Sequence, residues 1–184
     1  LVMPMAGRVK YTSRGSKQYP FNCNFSSNPY EYFYNCTTSN QTYSYSTSKT
    51  ETNSSLLVKS LEEVQITDIT YLQYGALQYM TYLKKLSLPD NLVTIEQYAI
   101  SNCYNLEQVV IGASLTTVGN YAFNMCSKLA TIFYKGNSTQ WSNITIGTYN
   151  TPLSNATVYY YSETQPSESG NYWHYVSGEP TIWS

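Results

Sequence analysis

The sequence is poor in chemistry. It holds one histidine, only 11% of its 184 residues are charged, and the formal net charge is −1. A near-neutral chain has no electrostatic footprint for nucleic acid or an anionic membrane surface. The four cysteines form no C-x-x-C pair and have no histidine cluster to join, which excludes the common metal sites and implies no cofactor. No apolar run approaches 18 residues, so no segment reads as a membrane span. No glycine-rich phosphate cradle is present, and no acid–base or nucleophile–base constellation can be assembled, so the chain is not read as an enzyme.

What is present instead is repetition. From Leu83, LKKLSLPDNLVTIEQYAISNCYN is followed by LEQVVIGASLTTVGNYAFNMCSK and then by LATIFYKG. Leu83, Leu106 and Leu129 stand 23 residues apart, as do Leu86, Val109 and Ile132, then Leu88, Ile111 and Tyr134. The lattice continues through Leu92/Leu115, Ile95/Val118, Tyr98/Tyr121, Ala99/Ala122, Ile100/Phe123 and Cys103/Cys126. A period in this range that opens L-x-x-L-x-L reads as leucine-rich repeats. Alternation in Leu86-Ser87-Leu88 predicts a short strand with one face buried. The spacings of three and four through Leu92, Ile95, Ala99 and Ile100 predict a helical or 3₁₀ return segment. One such coil cannot bury its apolar face alone, so stacking of coils is itself the source of stability.

Tyr98-Ala99-Ile100-x-x-Cys103 and Tyr121-Ala122-Phe123-x-x-Cys126-x-x-Leu129 resemble the I-G-x-x-A-F-x-x-C-x-x-L repeat of BspA-like leucine-rich proteins, mostly bacterial cell-surface proteins. Val118-Gly119 matches the family's Ile-Gly, whereas Ile95-Glu96 does not; Asn91 fits the common intracellular repeat, but Ser114 does not. The resemblance covers roughly residues 61–160. The expected fold is α/β: a right-handed leucine-rich repeat solenoid with one short parallel strand per 22–23-residue coil, short helical or 3₁₀ convex segments and a β-hairpin C-terminal cap. Strands are expected within 62–66, 84–88, 107–111, 130–134 and 154–160, in chain order.

Three regions follow. Residues 1–60 read as one irregular coil with a long insertion, 61–140 as the repeats, and 141–184 as the last coil and cap. Leu1-Val2-Met3-Pro4 superimposes on Leu86-Ser87-Leu88-Pro89, so the chain is expected to open inside a repeat strand, as a fragment of a longer solenoid would. A basic stretch, Arg8 to Lys17, reads as a solvated loop, and an aromatic cluster runs from Tyr19 to Tyr34. The 21 tyrosines fit either an extracellular surface solvated by hydroxyls or simple strand propensity. Cys103 and Cys126 are expected to be buried and reduced, whereas spacing does not decide whether Cys23 and Cys36 pair. Seven N-x-S/T sequons, at Asn24, Asn35, Asn40, Asn53, Asn137, Asn143 and Asn155, bear on function only in a eukaryotic source. Trp141, Trp173 and Trp183 are expected to seal the last coil, with His174 packed or at the surface in a hairpin around Ser177-Gly178-Glu179.

The remaining candidate site is a surface. Stacked strands place equivalent residues in rows about 4.8 Å apart. The outward rows are expected to be Gln65, Ser87, Val110, Phe133 and Thr157, beside Glu63, Lys85, Gln108, Thr131 and Asn155. Exposed Val110 and Phe133 would be the centre of a ligand-binding concave face. The resemblance implies surface recognition or adhesion, with a host or neighbouring-cell protein or glycan as partner and an extracellular or cell-surface location. The alternative is a purely structural end to a longer solenoid.

Overall fold

In this computed structural model, residues 62–66 and 69–184 are described in full; before them only the backbone of short strands is described. Those are β1 (Val2–Met3), β2 (Gln18–Tyr19), β3 (Cys23–Asn24), β4 (Cys36–Thr38) and β5 (Gln41–Tyr43). The boundary at residue 60, the fate of the Cys23 and Cys36 thiols and the aromatic cluster lie outside the described residues.

The L-x-x-L-x-L openings form strands β6 (Glu63–Ile66), β8 (Lys85–Ser87), β10 (Gln108–Ile111) and β12 (Thr131–Tyr134). All pair in parallel and in chain order, with Val64 beside Leu86, Leu86 beside Val109, and Val109 beside Ile132. Their alternation puts Val64, Leu86, Val109 and Ile132 in the core at 2% exposure or less. At the front, β1 pairs in parallel with β6, Val2 beside Gln65 and Met3 beside Ile66. That is the register its alignment on Ser87 and Leu88 predicts.

The return segments differ from expectation. Between residues 69 and 136 there is no helix and no 3₁₀ turn. A second parallel sheet of two-residue strands lies there instead: β7 (Tyr71–Leu72), β9 (Thr94–Ile95), β11 (Thr117–Val118) and β13 (Thr145–Ile146). Leu72, Ile95 and Val118 line up in register and are buried. The rest of each return segment consists of tight turns containing left-handed residues, among them Gly75, Tyr98, Tyr121 and Tyr149 with φ of 58–63°. Their N–H groups bond across to the next coil, as in Leu77 N to Ala99 O at 2.7 Å and Ile100 N to Ala122 O at 2.9 Å. A helix would use those groups within the coil; here stacking takes them, and the apolar spacings of three and four survive without helix.

The coils approach closely where glycine recurs. A Cβ on Gly119 would lie 2.5 Å from Gln97 N, and one on Gly147 2.5 Å from Asn120 Oδ1. The equivalent Glu96 instead sends its carboxylate to accept the Tyr74 N–H at 3.0 Å. Gly119→Ala is therefore expected to cost about 1–3 kcal/mol through forced backbone movement, measured by urea denaturation.

The last coil is longer. Helix α1 (Ser138–Ser142) carries a reciprocal cap in which Asn137 Oδ1 accepts the Gln140 N–H and Gln140 Oε1 accepts the Asn137 N–H, both 2.9 Å. Helix α2 (Thr151–Asn155) follows, with proline in its first turn. Strand β14 is Thr157–Tyr161, so the predicted strand start is corrected: Leu153 to Asn155 are helical. Strands β15 (Tyr172–Val176) and β16 (Glu179–Ile182) form an antiparallel hairpin, turned by Ser177 and Gly178 at φ of 52° and 88°. The large sheet runs β1-β6-β8-β10-β12-β14-β15-β16.

Cys103 and Cys126 are buried and free. Each thiol donates to a carbonyl of the preceding coil: Cys103 Sγ to Leu77 O at 3.1 Å, Cys126 Sγ to Ile100 O at 3.3 Å. Burial, reinforced by the neighbouring Cys126, pushes the Cys103 thiol well above its ordinary range. Neither thiol is expected to react with an aromatic disulfide reagent until the protein unfolds; rapid native labelling would contradict this packing.

Candidate functional site: the concave face

The outward rows begin as the repeat predicts. Lys85 lies beside Glu63 and Gln108, and Gln108 beside Thr131; Ser87 lies beside Gln65 and Val110, and Val110 beside Phe133. The last rung is displaced by two. Thr131 pairs with Thr157, and Phe133 with Tyr159. Asn155 ends α2 and is not on the sheet, and Thr157 belongs to the other row. A slip of two residues leaves inward residues inward, so alternation could not set this register.

The larger correction concerns exposure. Val110 and Phe133 are each only 4% exposed. They pack with fully buried Trp173 and with Tyr159 in a small second core outside the main one. The Phe133 ring centre lies 5.2 Å from Trp173 and 6.0 Å from Tyr159. Trp173 Nε1 donates to Tyr134 O at 2.9 Å, satisfying the one polar group that its burial would otherwise strand.

The hairpin therefore folds back over the concave face. Lys85 Nζ reaches Glu179 Oε2 at 3.3 Å, joining β8 to β16. In the sheet order β10, β12, β14 and β15 lie between them, and a flat sheet would hold those strands about 24 Å apart. No lysine–glutamate pair spans that distance, so the sheet must curl. Lys135 Nζ lies 5.4 Å from the Tyr175 ring centre, a further tie between β12's end and the hairpin. Because both partners of the Lys85–Glu179 pair are solvent-exposed, Lys85→Gln is expected to change stability by less than about 0.5 kcal/mol, measured by thermal denaturation in low salt. The hairpin is held by its aromatic underside, not by this charge pair.

Among the described residues, the hairpin leaves the earlier part of the face uncovered. Glu63 and Gln65 are exposed, and Lys85, Ser87, Gln108 and Thr131 are half-buried. Just before β6 and β8, Glu62 pairs with Lys84 at 3.0 Å, and Asp90, at a turn, pairs with Lys135 at 2.8 Å. His174 stacks on Trp183, ring centres 3.6 Å apart, and Trp183 Nε1 donates to Ser162 O at 3.0 Å. Trp141 meets Tyr134 edge-on at 5.1 Å and packs against the core. Among the described residues no three His, Cys, Asp or Glu side chains gather as a metal site.

The family profile described as "BspA type Leucine rich repeat region (6 copies)" matches residues 54–162. This chain belongs to the BspA-type leucine-rich repeat family. That assignment agrees with the curled, mostly parallel sheet and the stacked coils. BspA-type repeats are generally binding or structural modules without catalysis, often surface-associated and used in protein interaction. No curated protein and no solved structure matches the chain. Among the described residues no helix is long and apolar enough to cross a membrane.

Proposed function

We propose that this BspA-type chain is a cell-surface recognition or adhesion module of a bacterium, working outside the cell. Its partner is a protein or glycan of a host or neighbouring cell. Its coils are right-handed with a period of 22–23 residues, residues 61–140 carry the repeats, and the C-terminal hairpin is the cap. The ligand meets the open part of the concave face: Glu63, Gln65, Ser87 and Gln108, with Lys85 and Thr131 at the hairpin's margin. The observation that carries this reading is the half-covered face. The hairpin takes the apolar Val110–Phe133 patch for itself and leaves a polar, solvent-facing strip on β6 and β8. Polar rows on rigid strands suit specific recognition, because parallel strands hold donors and acceptors at fixed spacing.

A second reading is supported by the same hairpin. Burial of Phe133 is what a purely structural end of a solenoid would use to protect its last strands. Binding to an array of extracellular-matrix proteins and glycans separates the two. The recognition reading expects at least one ligand whose binding falls at least tenfold in Gln65→Arg/Ser87→Arg, with thermal stability unchanged. Absence of any bound ligand, or equal binding by the double variant, would favour the structural role.

A further inference from the structure

On the second sheet's side of the core, three tyrosines form a stack that the concave face does not use. Tyr98 and Tyr121 have ring centres 4.9 Å apart and 15° from parallel; Tyr121 and Tyr149 are 4.3 Å apart and 9° from parallel. Tyr74 closes one end, edge-on to Tyr98 at 5.6 Å. Among the described residues the other end has no such closure. β13 is an edge strand of its sheet, and Tyr149 is 62% exposed although Tyr121 covers one of its faces. Its outer face therefore meets solvent.

The platform is held firmly. Thr148 N donates to Asn120 Oδ1 at 2.9 Å, Tyr121 N donates to Thr148 O at 2.9 Å, and Asn150, buried, ties the turn to Gly119 and Phe123. The segments that carry and flank it have no charge: Gly112 to Ser127 and Gly136 to Ser162 contain no Asp, Glu, Lys or Arg. Thr145, Thr148 and Thr151, all exposed, lie within four residues of Tyr149 in the chain, and the Thr148 hydroxyl donates to Asn120 Oδ1 at 3.2 Å.

We propose that Tyr149 is the platform of a binding site for a neutral glycan. A pyranose presents an apolar C–H face, which stacks on an aromatic ring, and a rim of hydroxyls, which bond to neighbouring side chains. An anionic or cationic ligand would find no counter-charge in these segments. The site is independent of the concave face.

Its test uses the full chain in native gels containing neutral polysaccharides: hydroxyethylcellulose, xyloglucan, mannan or galactan. Tyr149→Gly is the informative variant, because Gly75 holds the equivalent ladder position at φ 63°, so glycine there should leave the coil intact. The expected result is retardation by at least one polysaccharide, weakened at least tenfold in Tyr149→Gly, kept in Tyr149→Phe and kept in Gln65→Arg/Ser87→Arg. Retardation by none of the four, or equal retardation of Tyr149→Gly with an unchanged melting temperature, would overturn it. Loss in the double variant with retention in Tyr149→Gly would place glycan binding on the concave face and likewise overturn it.

Discussion

Trp173→Ala is expected to destabilise the protein by about 3–5 kcal/mol, the range for emptying a large aromatic site in a core. The ring is fully buried against Val110, Phe133 and Tyr159, and its N–H is the donor to Tyr134 O. Removing it uncovers the apolar patch on β10 and β12 as well as leaving a cavity. The variant should therefore bind a hydrophobic dye in its native state, and its urea midpoint should fall. Trp173→Phe would restore most of the packing but not the hydrogen bond, and should lose only about 1–2 kcal/mol. Equal losses in both variants would mean that the hydrogen bond, and not the packing, holds the hairpin down.

Asn150→Ala should have the second large effect, about 2–4 kcal/mol. The side chain is 3% exposed. Its Oδ1 accepts the Phe123 N–H, and its Nδ2 donates to Gly119 O and Gly147 O, all at 2.9 Å. In earlier coils the equivalent N–H is met by backbone, as Ile100 N is by Ala122 O at 2.9 Å. In the last coil the equivalent carbonyl, Asn150 O, accepts the Ser154 N–H of α2 at 3.1 Å, and the Asn150 amide replaces it. Alanine would leave the Phe123 N–H buried without an acceptor, which costs more than the loss of an exposed bond. Thermal denaturation measures this; a loss below about 0.5 kcal/mol would mean that water replaces the amide.

The repeat was legible because its information is one-dimensional. Leu83, Leu106 and Leu129 share a burial site, and the 23-residue spacing alone identifies β8, β10 and β12 to within two residues. Even β1 fell in register from Val2 and Met3. The second sheet was not legible, because two-residue strands such as Thr94–Ile95 are too short to show a period. The last coil did carry local signals. Asn137-Ser138-Thr139-Gln140 is a capping-box pattern, and Asn150-Thr151-Pro152 opens a helix. The fate of Phe133 was beyond reach, since its cover, Trp173, is 40 residues away and arrives only because the sheet curls. A row of outward positions says where side chains point, not what lies over them.

Zero-length carbodiimide cross-linking of the full chain shows whether the C-terminal hairpin lies on the concave face. Lys84 and Glu62, 3.0 Å apart on neighbouring coils, supply an internal control. The expected result is a second cross-link between Lys85 and Glu179, which are 94 residues apart in sequence and 3.3 Å apart in the fold. Recovery of the Lys84–Glu62 product with Lys85 joined only to carboxylates of its own or adjacent coils would contradict the folded-back hairpin and return Phe133 and Val110 to solvent.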